Sequence, residues 1–438
     1  MKKYILLFLL IPVSIYAQDI LIAEDAIKIG LKNNYDIQIA RNTAEIARNN
    51  AGLGRSGFLP TLDALGSYRY SSSEQETNSP ISFGNSTSQN LSGSISLNWT
   101  LFDGFQMFAN RSRYNELAKL GEYQARYQIE NTVVAILRAY FNLVQQEQLL
   151  NVAKNSRDVS ETRLNKAKVR RDLGGTSATD LLNAQVSFNN DVASVLNQQL
   201  QVTIALKNLN ILLGQHPATP INVEKEITIN EVEFEIENLF NLAEERNNYL
   251  LFIQQNKIVA DKNVQLAQSV FYPRLSFDAG YGYTNTETDR EVADPSSFFP
   301  QTIDSQNKDA SVGLTLSFNL FNGFRNKIDL QNARIEALNQ ELALADARNQ
   351  IAGLVQEKYA TFQKQLELVI LEEQNVVAAQ QNLDLQLDRY NIDTASSLEF
   401  RDAQFNLIRA QTALIASRYE ARITKLEIER LIGKMGID

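Results

Sequence analysis

The sequence predicts a mixed α and β membrane protein made of two internal repeats, in which amphipathic β-hairpins give way to very long helices. Three observations lead there. Residues alternate apolar and polar without a fault over 91–101 and again over 310–320. Each run is followed by a helical pattern of period 3.5 to 3.6 with no proline, over 105–172 and 324–390. The junction Leu101–Phe105, L-F-D-G-F, returns 219 positions later at Leu320–Phe324 as L-F-N-G-F.

The chain opens with a signal peptide, residues 1–17. Lys2 and Lys3 precede an apolar run from Tyr4 to Val13, and Ala17 closes a cleavage site before Gln18. That run is too short to span a bilayer as a helix, and no later stretch approaches ~20 apolar residues. The chain is expected to leave the cytoplasm, and any membrane it spans is spanned by strands.

The first repeat covers 18–236. Ala26, Ile27, Leu31, Ile37, Ile39, Ile46 and Ala47 predict one helix over 24–57, which stops before Pro60 because a residue preceding proline avoids helical geometry. A hairpin over 62–101 follows, with strands at 62–70 and 91–101 around a polar loop at 71–90. In its second strand Leu91, Gly93, Ile95, Leu97, Trp99 and Leu101 share one face, and Ser92, Ser94, Ser96, Asn98 and Thr100 the other. The long helix, 105–172, carries one seam of Ile129, Val133, Ile136, Tyr140 and Leu143, and a second of Val134, Leu137, Phe141 and Val144. Two seams predict a neighbour on each side. At 1.5 Å per residue this helix is ~100 Å long. Gly174-Gly175 turns the chain into a helix over 177–213, half as long, which the 24–57 helix can complement end to end. Pro217, Pro220 and the β-prone Ile227-Thr228-Ile229 mark 215–236 as a small mixed equatorial segment.

The second repeat, 237–438, replays this order: a helix over 237–270, a hairpin over 274–320 with strands at 274–284 and 310–320, a long helix over 324–390 and a shorter one over 397–433. The 219-residue offset holds from Leu97/Leu316 through Tyr140/Tyr359 and Gln185/Gln404 to Gly214/Gly433, which makes this one duplicated unit. Pro60 and Pro273 open the hairpins, and Gly104 and Gly323 lie where strand becomes helix, so these four positions are the expected strand–helix hinges.

Composition excludes much. The 438 residues contain no cysteine, one histidine (His216) and eight prolines. Disulfides, thiolate metal sites, a lipidated cysteine and a histidine triad within one subunit are therefore ruled out. Losing Lys2 and Lys3 with the signal takes the formal charge from −9 to −11, and an acidic chain without a basic patch argues against nucleic acid. Gly52-Leu53-Gly54-Arg55-Ser56-Gly57 spells GxGxxG, but it follows a helix and precedes Pro60, the reverse of a dinucleotide site. It reads as a loose helix end, and His216 as structural. No catalytic residue, cofactor or metal site is expected.

Four amphipathic strands cannot stand alone in a bilayer, because open edges leave backbone groups unsatisfied in hydrocarbon. Either the sheet is soluble and packs on the helices, or several chains pool strands into a closed barrel. Aromatic residues agree with a barrel. Phe58, Trp99, Phe102, Phe105, Phe271, Tyr272, Phe318, Phe321 and Phe324 gather at the helix–strand junctions, and Tyr68, Tyr70, Tyr281 and Tyr283 lie toward the other ends, as in two interfacial girdles.

In this order of elements, with Pro60 and Pro273 before the hairpins, L-F-D-G-F and L-F-N-G-F after them and turns at 170–185 and 389–404, the whole mature chain resembles the TolC-like outer-membrane efflux proteins. The resemblance implies a homotrimer: a twelve-stranded transmembrane β-barrel continued by a twelve-helix periplasmic α-barrel. It also implies a passive exit duct of a tripartite efflux pump or type I secretion system, in the outer membrane and reaching into the periplasm. Its partners would be outer-membrane lipid, a periplasmic adaptor (membrane fusion) protein and an inner-membrane pump of RND, ABC or MFS type. By the same resemblance Arg170, Gly174, Gly175, Arg389, Tyr390 and Asp393 form the adaptor-contacting tips, although Asp393 stands where the pattern has glycine and Arg171 where it usually has an aromatic. Glu399 and Asp402, three apart and on one helical face, fall at the pore constriction, with Asp180 as the first-repeat equivalent of Glu399. The competing readings are solvated helix acids for these positions, and a structural or adhesive coiled-coil surface protein for the chain.

Overall fold

The computed structural model describes residues 20–74, 85–173, 177–229, 235–290, 302–392 and 394–435. The expected signal peptide, 1–17, and the expected tip residues Gly174, Gly175 and Asp393 lie outside them. Two compact units divide the chain, and each draws on both repeats: Thr43–Tyr123 with Phe252–Asp346, and Met1–Asn42 with Gln124–Leu251 and Ala347–Asp438.

Period-two alternation forms strands where it was read, and the strands then run on past it. β1 (Thr61–Ser73), β2 (Ser86–Asp103), β3 (Arg274–Arg290) and β4 (Thr302–Ser317) make one antiparallel sheet in the order β1-β2-β3-β4. Much of what reads as polar loop, 71–90 and 285–309, is therefore strand. Its ladder is accompanied by polar cross-strand pairs, such as Asn90 Nδ2 donating to Thr286 Oγ1 (2.8 Å) and the Ser88 and Thr288 hydroxyls 3.3 Å apart. With both faces polar, no alternation is left to read. At the other end β4 stops at Ser317, short of the expected Leu320, and a bulge between Thr100 and Phe102 interrupts β2.

The apolar face of the sheet is left bare: Leu65 and Leu316 are each 70% exposed. Register also levels the aromatics. Tyr68 pairs with Leu91, Tyr281 with Ile95 and Tyr283 with Gly93, whereas Trp99 pairs with Phe277. From Leu91 to Trp99 is ~26 Å along the strand at ~3.3 Å per residue, on the scale of the ~25 Å apolar band of an outer-membrane barrel.

The helices are α1 (Ala23–Asn33), α2 (Tyr35–Asn50), α3 (Gln106–Asp172), α4 (Ala178–Leu212), α5 (Ile236–Arg246), α6 (Asn248–Ser269), α7 (Arg325–Asn391) and α8 (Ser397–Leu431). Among the described residues no helix is long and apolar enough to cross a membrane. The expected single helices over 24–57 and 237–270 are each broken in two, at Asn34 and at Asn247. Both asparagines are buried, and each does two things. Its side-chain oxygen caps the next helix, accepting from Ile37 N (3.1 Å) or from Tyr249 N and Leu250 N (both 3.1 Å). Its amide nitrogen donates to the last turn of a return helix, to Leu212 O (2.8 Å) or Leu431 O (2.9 Å). Asparagine inside an apolar periodicity is easily read through; here the tertiary bond decides the break. α2 also ends early, at Asn50, because Gly52, Gly54 and Gly57 unwind 51–57 into turns, whereas the glycine-free counterpart stays helical to Ser269.

Both seams of α3 are buried from Ile129 to Val144, with Val133, Ile136, Tyr140 and Leu143 fully enclosed. The matching residues of α7 keep only part of the first seam, with Arg348 and Ala352 exposed. Val355 and Phe362 are buried, but Val134, Leu137, Phe141 and Val144 become Gly353, Gln356, Ala360 and Gln363, all exposed. At the equator the β-prone 227–229 forms no strand; the described residues show only a parallel bridge between Leu21 and Val223. Tyr140 reaches it by donating to Leu21 O at 2.9 Å.

Candidate functional site: hinges and helical tips

At the first hinge Pro60 and Pro273 stand immediately before β1 and β3. The chain leaves β2 through two consecutive left-handed residues, Gly104 (φ +70°) and Phe105 (φ +67°). The second hinge repeats this with Gly323 (φ +69°) and Phe324 (φ +63°). A phenylalanine at positive φ is a strained outlier, and sequence reading, attentive to glycine, missed it. Aromatic packing holds it there: the Phe105 ring meets Phe102 (5.2 Å) and Tyr272 (5.7 Å) edge-on, and Phe324 meets Phe321 (5.3 Å). Asp103 completes the turn, its carboxylate accepting from Met107 N at 3.0 Å to cap α3.

The tips are built by the same device in both repeats. Ser396 caps α8 in a reciprocal box: its hydroxyl accepts from Glu399 N (3.2 Å), and Glu399 Oε2 accepts from Ser396 N (2.7 Å). In α4 the Ser177 hydroxyl accepts from Asp180 N (3.1 Å) and lies 3.0 Å from Asp180 Oδ2. S-x-x-E at 396–399 and S-x-x-D at 177–180 are the sequence signals for these caps. Two of the acids expected at the constriction, Glu399 and Asp180, thus already serve their own helix starts. The backbone N–H of Ser396, followed by its side chain, holds the Glu399 carboxyl below the usual carboxylate range. Glu399 and Asp402 are both exposed, as a pore-facing pair requires.

Tyr390 stacks on Phe400 at 5.5 Å, and the Arg170 guanidinium lies over the Tyr390 ring at 5.4 Å. Arg389 binds its own turn, donating to Thr394 O at 3.2 Å. One turn into α8 comes a buried ion pair that the sequence did not announce. Arg401 donates two bonds to Asp191 on α4, at 2.9 and 3.0 Å, and a third to Gln404 Oε1 at 3.0 Å. Gln404 passes the connection to α3 through Ser156 O (3.1 Å) and Oγ (2.9 Å). The repeat-equivalent positions are Leu182 and Ala410, so this tie exists once per chain.

The family described as "Outer membrane efflux protein" matches residues 26–215 and 239–434, the greater part of both repeats. The chain belongs to that family. Outer-membrane efflux proteins are passive channels, so this one is an outer-membrane exit duct that extends toward the periplasm and works with partner proteins, and it is not an enzyme. Among curated relatives it is similar to outer membrane protein TolC of Escherichia coli (strain K12), 23% identical over 385 residues, covering 87% of this chain and 76% of that protein. Among solved structures it is similar to the CmeC outer membrane channel of Campylobacter jejuni (TM-score 0.77, 14% identity, 94% and 85% covered). A second is VceC of Vibrio cholerae (TM-score 0.72, 17% identity, 94% and 96% covered).

Proposed function

We propose that three copies of this efflux protein pool their sheets into a twelve-stranded barrel and their helices into a twelve-helix periplasmic tunnel, gated at the helical tips. One observation carries the reading. Among the described residues the sheet ends in two unpaired edges, β1 and β4, while its apolar face lies bare. Both features are untenable in a bilayer unless another copy pairs the edges and lipid covers the face. The second seam that α7 has exchanged for glycine, alanine and glutamine is consistent with a wetter, inter-subunit neighbour.

Gating follows from the tips. Arg401 and Asp191 hold α8 against α4, so opening by movement of one hairpin must break that bond. In a trimer, three copies of Glu399 and Asp402, with Asp180, would bring carboxylates together, bind cations and favour their passage. Arg170, Gly174, Gly175, Arg389, Tyr390 and Asp393 would meet the periplasmic adaptor, which joins the duct to an inner-membrane pump of RND, ABC or MFS type.

Conductance tests the gate. Glutamine still serves a capping box, so Glu399→Gln with Asp402→Asn removes charge and leaves the tip folded. In planar bilayers the double variant should show weaker cation preference and weaker block by divalent cations; unchanged selectivity removes these acids from the constriction.

A further inference from the structure

Between α3 and the α7–α8 tip lies a cavity of about 340 Å³ with an apolar wall of Val159, Leu387, Tyr390 and Phe400. Arg163 lines it at 5% exposure, and among the described residues its Nε and one terminal nitrogen have no hydrogen-bond partner. Guanidinium stays charged at any physiological pH, and a buried charge without acceptors is among the least favourable arrangements in a folded protein. Among the described residues no carboxylate forms a hydrogen bond or ion pair with it. Lys166, one turn on, lines the same cavity and donates a hydrogen bond to a neutral amide, Asn391 Oδ1, at 2.9 Å. Asp158, the acid at the rim, is exposed and engaged by Arg157 Nε at 3.0 Å. The cavity is thus cationic at one side and aromatic at the other.

We propose that this cavity binds a small amphipathic carboxylate, its anionic head on Arg163 and Lys166 and its apolar body against Leu387, Tyr390 and Phe400. A carboxylate supplies the planar acceptor pair that guanidinium matches. The volume, at the low end for ligand sites, admits an aryl or short alkyl acid and excludes nucleotides. The site is lined within one chain; it shares Tyr390 with the proposed adaptor-contacting tip, and Phe400 directly follows Glu399.

Binding can be read on the purified full chain in neutral-detergent micelles with 4-(4-fluorophenyl)butyrate as probe, by fluorine NMR. The matched alcohol, 4-(4-fluorophenyl)butanol, reports micelle partitioning. The acid should bind saturably and the alcohol should not. Arg163→Met, which replaces a buried charge with an apolar chain of similar length, should weaken the acid at least ~10-fold, the worth of a charge-assisted hydrogen bond. Leu387→Trp keeps the charge but fills the cavity and should also abolish binding, which keeps the test open if Arg163→Met does not fold. Equal behaviour of acid and alcohol, or acid binding that survives Leu387→Trp, overturns the site.

Discussion

A Cβ placed on Gly104 would lie 2.3 Å from the carbonyl oxygen of Ser269, whereas one on Gly323 would meet nothing within 4 Å. The two hinges share a backbone shape and differ in having a neighbour. The partner of Gly104 is the turn that ends α6 in the second repeat. By the 213-residue offset of Pro60 and Pro273, the corresponding turn for Gly323 is that around Ser56 and Leu59, which in the proposed trimer belongs to the adjacent copy. Gly104→Val should therefore prevent accumulation of folded protein, since backbone clash and positive φ act together. Gly323→Val carries only the conformational strain within one chain, and its defect should appear at assembly. Membrane-fraction yield and oligomer size separate the two; normal trimers from Gly104→Val would refute the hinge.

Glu130 makes stability depend on pH. Burial pushes its carboxyl up to about 7, against the opposing pull of the Asn248 hydrogen bond and the Arg430 charge. A raised acid binds its proton more tightly folded than unfolded, so stability is full below the unfolded value and falls as pH rises toward 7. The slope approaches ~1.4 kcal/mol per pH unit at most. Denaturation midpoints measured from pH 4.5 to 8 should fall across that window, and Glu130→Gln should flatten the curve.

The Arg401–Asp191 tie predicts a change in gating. Asp191→Ala leaves a buried guanidinium unpaired, a loss of about 3–5 kcal/mol where such pairs have been broken. The tip should loosen and the open fraction of single-channel recordings should rise. An unchanged open fraction would assign the pair to packing alone.

Ser396→Ala separates the cap from the pore charge. It removes the hydroxyl that accepts from Glu399 N and should destabilise the α8 start by ~1 kcal/mol, seen as faster amide exchange over 396–400. Cation selectivity should persist, because no acid is lost.

The sequence made the long helices and the sheet legible because each has a period sustained over many residues. Ile129 to Val144 and Leu91 to Leu101 advertise their faces regardless of tertiary context. Asn34 and Asn247 were illegible because a break set by a bond to a carbonyl nearly two hundred residues away has no local pattern. The polar ends of the strands were hidden for the opposite reason: pairing continues where amphipathicity stops. At the tips, spacing puts Glu399 and Asp402 on one helical face and the resemblance singles them out, but neither tells what Glu399 binds. Arg401, Asp191 and Arg163 looked like ordinary helix charges until folding buried them.

The claim that three chains close one duct has a direct measurement. Native mass spectrometry of protein extracted from the outer-membrane fraction should give a trimer that heat converts to monomer. A monomer or dimer before heating would contradict the account, since β1 and β4 would then remain unpaired in lipid.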